Sequence, residues 1–219
     1  KESREGELSV IFNAGLKAFI IYQKNNRVIS DFSYAKGKAA AIEASGAANR
    51  HKLPQNTVIY FAVDLDVYEE QIDSSIKPYF EGINDNISNR YRVGIYAPRL
   101  VCKKIADYNL SVSSFVADMS TGYSCNIGQK IPENWCYDQF VEISNFNNDF
   151  DIDKVTYNGK IEALSSLSSD TDYDNVNYRV IDFLTEAYNL AKQYYGDDAS
   201  ITDCNLLVLQ YVAQNGYDS

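Results

Sequence analysis

Thr57–Asp66, TVIYFAVDLD, is the stretch whose reading decides the fold. β-Branched, aromatic and apolar residues run from Val58 to Leu65, after Pro54-Gln55-Asn56 and before a charged segment, which predicts a short buried strand. Alternation puts Tyr60, Ala62, Asp64 and Asp66 on one face and Ile59, Phe61, Val63 and Leu65 on the other. Two carboxylates then arrive together at the strand's carboxyl end, their Cα atoms roughly 6–7 Å apart at a rise of about 3.3 Å per residue. That end of a buried parallel strand is where α/β enzymes keep their chemistry. The plainer alternative makes both acids a cap for the helix that follows.

Upstream, Ser3–Ala14 carries Leu8, Ile11 and Phe12 at helical spacing, Gly15 closes it, and Leu16–Gln23 reads as a strand. A polar stretch, Lys24–Phe32, precedes an Ala-rich helix over Tyr34–Arg50. Its small residues suit close packing on a sheet, while Gly37 and Gly46 weaken it. Downstream, Ile72, Ile76, Phe80, Ile83 and Ile87 form the apolar stripe of a helix over Glu69–Ile87. Tyr91–Ala97 is the next strand, and Pro98 opens another helix. Ser114–Met119, Tyr137–Ile143 and Phe150–Val155 read as three further strands.

Strand and helix alternate at roughly thirty-residue spacing, which predicts a parallel sheet with crossover helices. Each of the six strands ends near a polar group: Gln23, Asp66, Tyr96, Asp118, Gln139 and Asp153. One such residue per strand fits the mouth of a barrel better than the single switch point of a flat sheet. The expected fold is therefore α/β, a TIM-type (β/α) barrel over residues 1–164 that lacks its first strands. Two of those are expected upstream of Lys1. Residues 165–177 read as a polar linker, and residues 178–219 as a helical C-terminal extension belonging to a second module.

The totals exclude several functions. A net charge of −10 over 219 residues argues against nucleic acid, whose phosphates need a basic face. No run of about twenty apolar residues is present, so no membrane span is expected. Lys1 is not an initiator residue and no leader pattern follows it, which reads as a processed form or an excerpt. Eighteen tyrosines among many Asn, Asp and Ser residues suit carbohydrate, which stacks on rings and bonds to amides. Cys102, Cys125, Cys136 and Cys204 show no CxxC spacing, and only His51 could join them. Neither a metal nor another cofactor is expected. His51 itself, between Arg50 and Lys52, reads as an exposed residue. Cys125 and Cys136 bracket a loop, and two readings stay open: a disulfide in an exported protein, or two reduced buried thiols.

TVIYFAVDLD, YFEGI, YRVGIYAPRLVC, SFVADMSTGYSCNIG and NWCYDQF, in that order, resemble the glycoside-hydrolase-like domain of secreted bacterial cell-wall proteins. The likeness covers roughly residues 5–160, and that family is in turn similar to the family 25 lysozymes, (β/α) barrels that cleave peptidoglycan. The resemblance implies a secreted or wall-associated bacterial protein whose partner is peptidoglycan or a related glycan. It places Asp64 and Asp66 on an Asp-x-Glu motif whose Glu is the general acid. Tyr96, Gln139 and Asp153 fall on substrate-site positions of later strands, and Asp118 falls beside one. The acid position holds Asp66 in place of Glu, one methylene short, and a first-strand aspartate of the lysozymes has no counterpart in this chain.

Asp66 is thus the expected acid, with Asp64 or Asp153 polarising water or an acetamido group. The alternative function is a non-catalytic barrel that binds wall glycan. Each residue also has a plainer reading: Tyr96 as barrel filling, Gln139 as a buried amide, Asp118 as an anchor for the Ser-Thr-Gly loop, and Trp135 as a pin before its strand. Asp138 and Glu142 are expected to point away from Gln139 by strand alternation.

Overall fold

The computed structural model describes residues 4, 6–24, 28–169 and 189. The chain divides into two compact units, Lys1–Ser169 and Asp170–Ser219. The expected helical extension, and Cys204 with it, lies outside the described residues, apart from Asn189. Residues 165–169 do not behave as a free linker. Ser168 N donates to the Lys52 carbonyl at 2.8 Å, and Leu167 packs on the core of the first unit.

That unit is mixed α/β. Helix α1 (Glu7–Asn13) leads to strand β1 (Ile20–Tyr22), and α2 (Tyr34–Arg50) leads to β2 (Val58–Ala62). Then α3 (Glu69–Gln71), a π-helical turn (Ile72–Ile76) and α4 (Lys77–Asn84) follow end to end. They are succeeded by β3 (Arg92–Ala97), α5 (Arg99–Asp107), β4 (Ser113–Val116), β5 (Trp135–Phe146) and β6 (Phe150–Tyr157). The strands form one sheet in sequence order, parallel from β1 to β5. β6 departs from the expected barrel pattern: it runs antiparallel to β5 as the return arm of a hairpin. No crossover helix separates them, and a hairpin can only turn the chain back.

The sheet is curled. Phe19, just before β1, packs its ring 5.0 Å from Phe115 of β4 and 4.9 Å from Tyr137 of β5, across the concave face. Ala18 also bridges antiparallel to Leu164, beyond β6. The result is a six-stranded half-barrel, in keeping with the expected barrel short of strands, and a full TIM barrel is not formed by the described residues. Val58, Tyr60, Phe115, Cys136 and Tyr137 fill the inside of the curl. Ile59, Phe61 and Val63 face outward with Val93, Ile95 and Val116, under Ala41, Ile76, Phe80 and Ile105 of the helices. This is the alternation read from Thr57–Asp66. Gly94, beside Tyr60 on the next strand, has no side chain because the ring occupies its space: a Cβ there would lie 2.7 Å from Tyr60.

The small residues of α2 work differently from expectation. Their tightest approach is to α4, not to the sheet. A Cβ on Gly37 would stand 1.9 Å from the Tyr79 carbonyl oxygen, and one on Gly82 would stand 2.2 Å from that of Tyr34. Two glycines therefore let two helix backbones touch. The cysteine question also resolves. Cys125 and Cys136 are free, buried thiols, so no disulfide joins them. Cys125 sits in the helix-side core with its Sγ toward the Val67 carbonyl, while Cys136 sits inside the curl near Ile161. His51, expected at the surface, is half-buried.

Candidate functional site at the carboxyl end of the half-barrel

β2 stops at Ala62. Val63 N still donates to the Tyr96 carbonyl at 2.8 Å, after which the backbone leaves the sheet. Asp64 and Asp66 therefore stand on the crossover loop and do not share a strand face, which corrects the sequence expectation. Neither caps the next helix: Tyr68 is the residue before α3, and the side chain that bonds there is Gln71, whose Oε1 accepts from Tyr68 N at 2.8 Å.

The two acids turn to different neighbours. Asp64, half-buried, accepts a hydrogen bond from Gln23 Nε2 at 3.2 Å, beyond β1. Asp66 is exposed and reaches the loop after β4. It accepts from Ser124 N at 3.0 Å, from Ser124 Oγ at 2.8 Å and from Cys125 N at 3.3 Å. Partial desolvation pushes the Asp66 carboxyl up, but the hydrogen bonds from Ser124, Cys125 and Val67 together outweigh it and hold it below the usual carboxylate range. Asp66 is thus an ionised loop clamp. That environment opposes the proton-donor role expected for it.

Tyr96, at the end of β3, reaches across β4. Its phenol donates to Gln139 Oε1 at 2.7 Å, and the amide's Nε2 donates onward to Met119 Sδ. Gln139 is buried and Tyr96 partly so. Burial pushes the Tyr96 phenol up, and the nearby negative charges of Asp64 and Asp153 push it further. The charges of Asp64 and Asp153 are thus both felt at Tyr96.

Asp153 reaches the mouth by a route the sequence reading did not foresee. On an antiparallel strand it stands mid-ladder, opposite Glu142, and not at a parallel strand's carboxyl end. Pairing runs Gln139↔Val155, then Val141↔Lys154 and Glu142↔Asp153, so Phe140 is an extra residue on β5. Such a bulge reverses the phase of every side chain beyond it. Glu142 therefore shares the face of Gln139 and Asp153, against the expectation from simple alternation. Asp138, before the bulge, does point the other way, as expected.

On that outer side Asp118 and Asp138 meet. Both oxygens of Asp118 are taken by Arg99 at the start of α5, Nε at 2.6 Å and Nη2 in contact with Oδ2. Arg99 Nη1 also donates to the Gln129 carbonyl at 2.9 Å, and Arg99 N donates to Asn126 Oδ1 at 2.8 Å. Asp118 is therefore drawn into anchoring the β4–β5 loop. Trp135 pins the far end of the same loop: its N donates to the Pro132 carbonyl, and its own carbonyl accepts from Asn158. Tyr123, on the loop, was missed. Desolvation raises its phenol, and Asp64 and Asp66 add to this, so it lies within the field of both acids. No periodicity marks such a loop residue.

The mouth thus carries Asp64, Tyr96, Gln139 and Asp153, with Glu142 farther along the same face of the hairpin, Asp66 and Tyr123 at the rim and Asp118 on the other side of the sheet. Carboxylates, a phenol and an amide at one end of a curled sheet suit hydroxyl and acetamido groups. Among the described residues no group of three or more His, Cys, Asp or Glu side chains is placed to hold a metal ion.

Comparison with known proteins places the chain at the level of family. The chain is 33% identical to the uncharacterized protein FadG of Bacillus subtilis (strain 168), over 99% of the chain and 39% of that protein. It is 39% identical to the uncharacterized protein YbfG of the same organism, over 77% of the chain and 25% of that protein. The chain thus spans well under half the length of either relative. Among solved structures it is similar to the Mycobacterium tuberculosis Tat-secreted protein Rv2525c in complex with L-tartrate, at TM-score 0.48 and 17% identity, covering 71% of this chain and 73% of that one. A crystal form of the same protein with HEPES gives TM-score 0.47 at 17% identity, over 68% and 71% of the two chains. The match that spans most of the chain is to a family, over residues 1–189, and by it this chain belongs to the Rv2525c-like, glycoside hydrolase-like domain family.

Proposed function

We propose that this domain is a glycosidase directed at the peptidoglycan of the bacterial cell wall, outside the cytoplasm, working through carboxylates at the carboxyl end of its half-barrel. The supporting observation is that the charges of Asp64 and Asp153 both reach Tyr96, which is bonded to Gln139, within a glycoside hydrolase-like family. Glycoside hydrolysis needs one protonated and one ionised carboxyl group. Asp66, fixed by Ser124 and Cys125, suits the ionised role. The donor role then falls to the other acid of the motif, Asp64, which is half-buried and held by Gln23. Gln139, Tyr96 and Asp153 orient the sugar, and no metal or other cofactor takes part.

A second reading, a non-catalytic glycan-binding domain, is favoured by one specific feature: the clamping of Asp66 away from the other acid. Digestion of purified peptidoglycan by the domain and by its Asp64→Asn and Asp66→Asn variants separates the two. New reducing ends that vanish in Asp64→Asn support the glycosidase. Saturable binding with no new reducing ends in any of the three proteins overturns it in favour of the binder.

A further inference from the structure

The outer side of β5 carries a half-buried acid that the proposed chemistry does not use. Asp138 lies against the Asp118 carboxyl, close enough for a hydrogen bond between the two acids, and its Oδ1 is buried without a partner. The groups that face it are few. Asp118 stands beyond β4, Arg99 comes from α5, and across the ladder β6 offers only the uncharged Thr156. One guanidinium therefore serves two carboxyl groups, and Asp118 takes it in a forked contact. Burial, followed by the charge of Asp118, pushes Asp138 up to about 6, against the opposing pull of Arg99.

The same guanidinium governs the loop. Arg99 bonds the Gln129 carbonyl, its backbone N–H bonds Asn126, and Asn126 in turn donates to the carbonyls of Ala117 and Ser120. The next residues along, Ser124 and Cys125, hold Asp66. Hydrogen bonds of Arg99 and the short backbone run from Asn126 to Ser124 thus connect the acid pair to the rim of the mouth.

We propose that Asp118, Asp138 and Arg99 form a proton-operated latch on the β4–β5 loop, closed while the two acids share a proton and loosened when Asp138 gives that proton to water. Closed, Arg99 neutralises the single negative charge and keeps the loop on α5, and the loop keeps Asp66 clamped. After deprotonation two adjacent carboxylates share one cation, and the repulsion falls on the segment that carries Asp118. The sign follows from the raised affinity of Asp138 for its proton: the latch is firm in mild acid and weakens as pH rises through about 6.

The test is amide hydrogen exchange of Ser124 and Cys125, the donors to Asp66, measured from about pH 5 to 7.5 and normalised to the unstructured rate. Protection is expected to fall about tenfold over this range in the native sequence and to stay level in Asp138→Asn. An equal fall in both proteins, or level protection in the native one, overturns the latch. A carbon-detected titration of Asp138 in the unsubstituted protein is independent of whether the variant folds. A midpoint near 6 supports the proposal, and one near the ordinary value of about 3.9 overturns it.

Discussion

Glu142 stands directly across the β5–β6 ladder from Asp153, on the face that carries Gln139. Two like charges opposite one another weaken a strand pair by roughly 0.2–1 kcal/mol. Glu142→Gln is therefore expected to raise the thermal midpoint slightly at neutral pH in low salt. The gain should shrink in about 0.5 M salt, where exposed charges are screened. Calorimetry at two ionic strengths checks both halves.

Asp66 accepts three hydrogen bonds from one loop. Asp66→Asn is expected to cost about 1 kcal/mol, the low end for bonds to a charged group because the site is exposed. Its carboxyl is held below the usual range, so its contribution is complete above the unfolded carboxylate value and disappears as pH falls through the lower folded one. Denaturant unfolding from pH 7 down to about pH 3 should show a decline in the native protein that is smaller in Asp66→Asn. Parallel profiles would remove the clamp.

Tyr96 and Gln139 are joined by a 2.7 Å hydrogen bond. Tyr96→Phe leaves the buried amide oxygen without its donor, at an expected cost of about 1–3 kcal/mol. Replacing Gln139 by Leu in the Tyr96→Phe background should cost less than the two single changes summed, since neither polar group is then stranded. Chemical denaturation of the four proteins measures the coupling. Additive losses would mean that the pair does not act as a unit.

Gly37 faces the Tyr79 carbonyl oxygen at a separation that leaves no room for a methyl group. In an isolated helix Gly→Ala gains up to about 1 kcal/mol. In this protein Gly37→Ala is expected to lose about 1–3 kcal/mol, because α2 must move off α4. Equilibrium unfolding decides the sign. Gly122→Ala, where an added Cβ would meet open space and the backbone is outside the left-handed region, serves as the control and should be near neutral.

Local pattern carried much of this protein. The β-branched run Val58–Ala62, the Ile72–Ile83 stripe and the apolar segments of β3 and β4 write their periods directly into the sequence, because one buried face per element leaves a repeat of two or 3.6. The inward and outward faces of β2 followed from the same alternation, as did the placing of Asp138 opposite Gln139. What alternation cannot register is an extra residue. The bulge at Phe140 changes no local propensity, yet it turns Glu142 onto the face of Gln139. Long-range partners were equally hidden. Asp66 meets Ser124 and Asp118 meets Arg99 only after the sheet has curled, and an acid has the same sequence signature whether it clamps a loop or faces a sugar. The antiparallel return of β6 was hidden too, since a short strand reads alike in either direction and only its pairing decides. Composition and period determined which segments are strands and helices and which faces they bury; the register, the bulge and the curl, which are relations between distant segments, decided which side chains share a site.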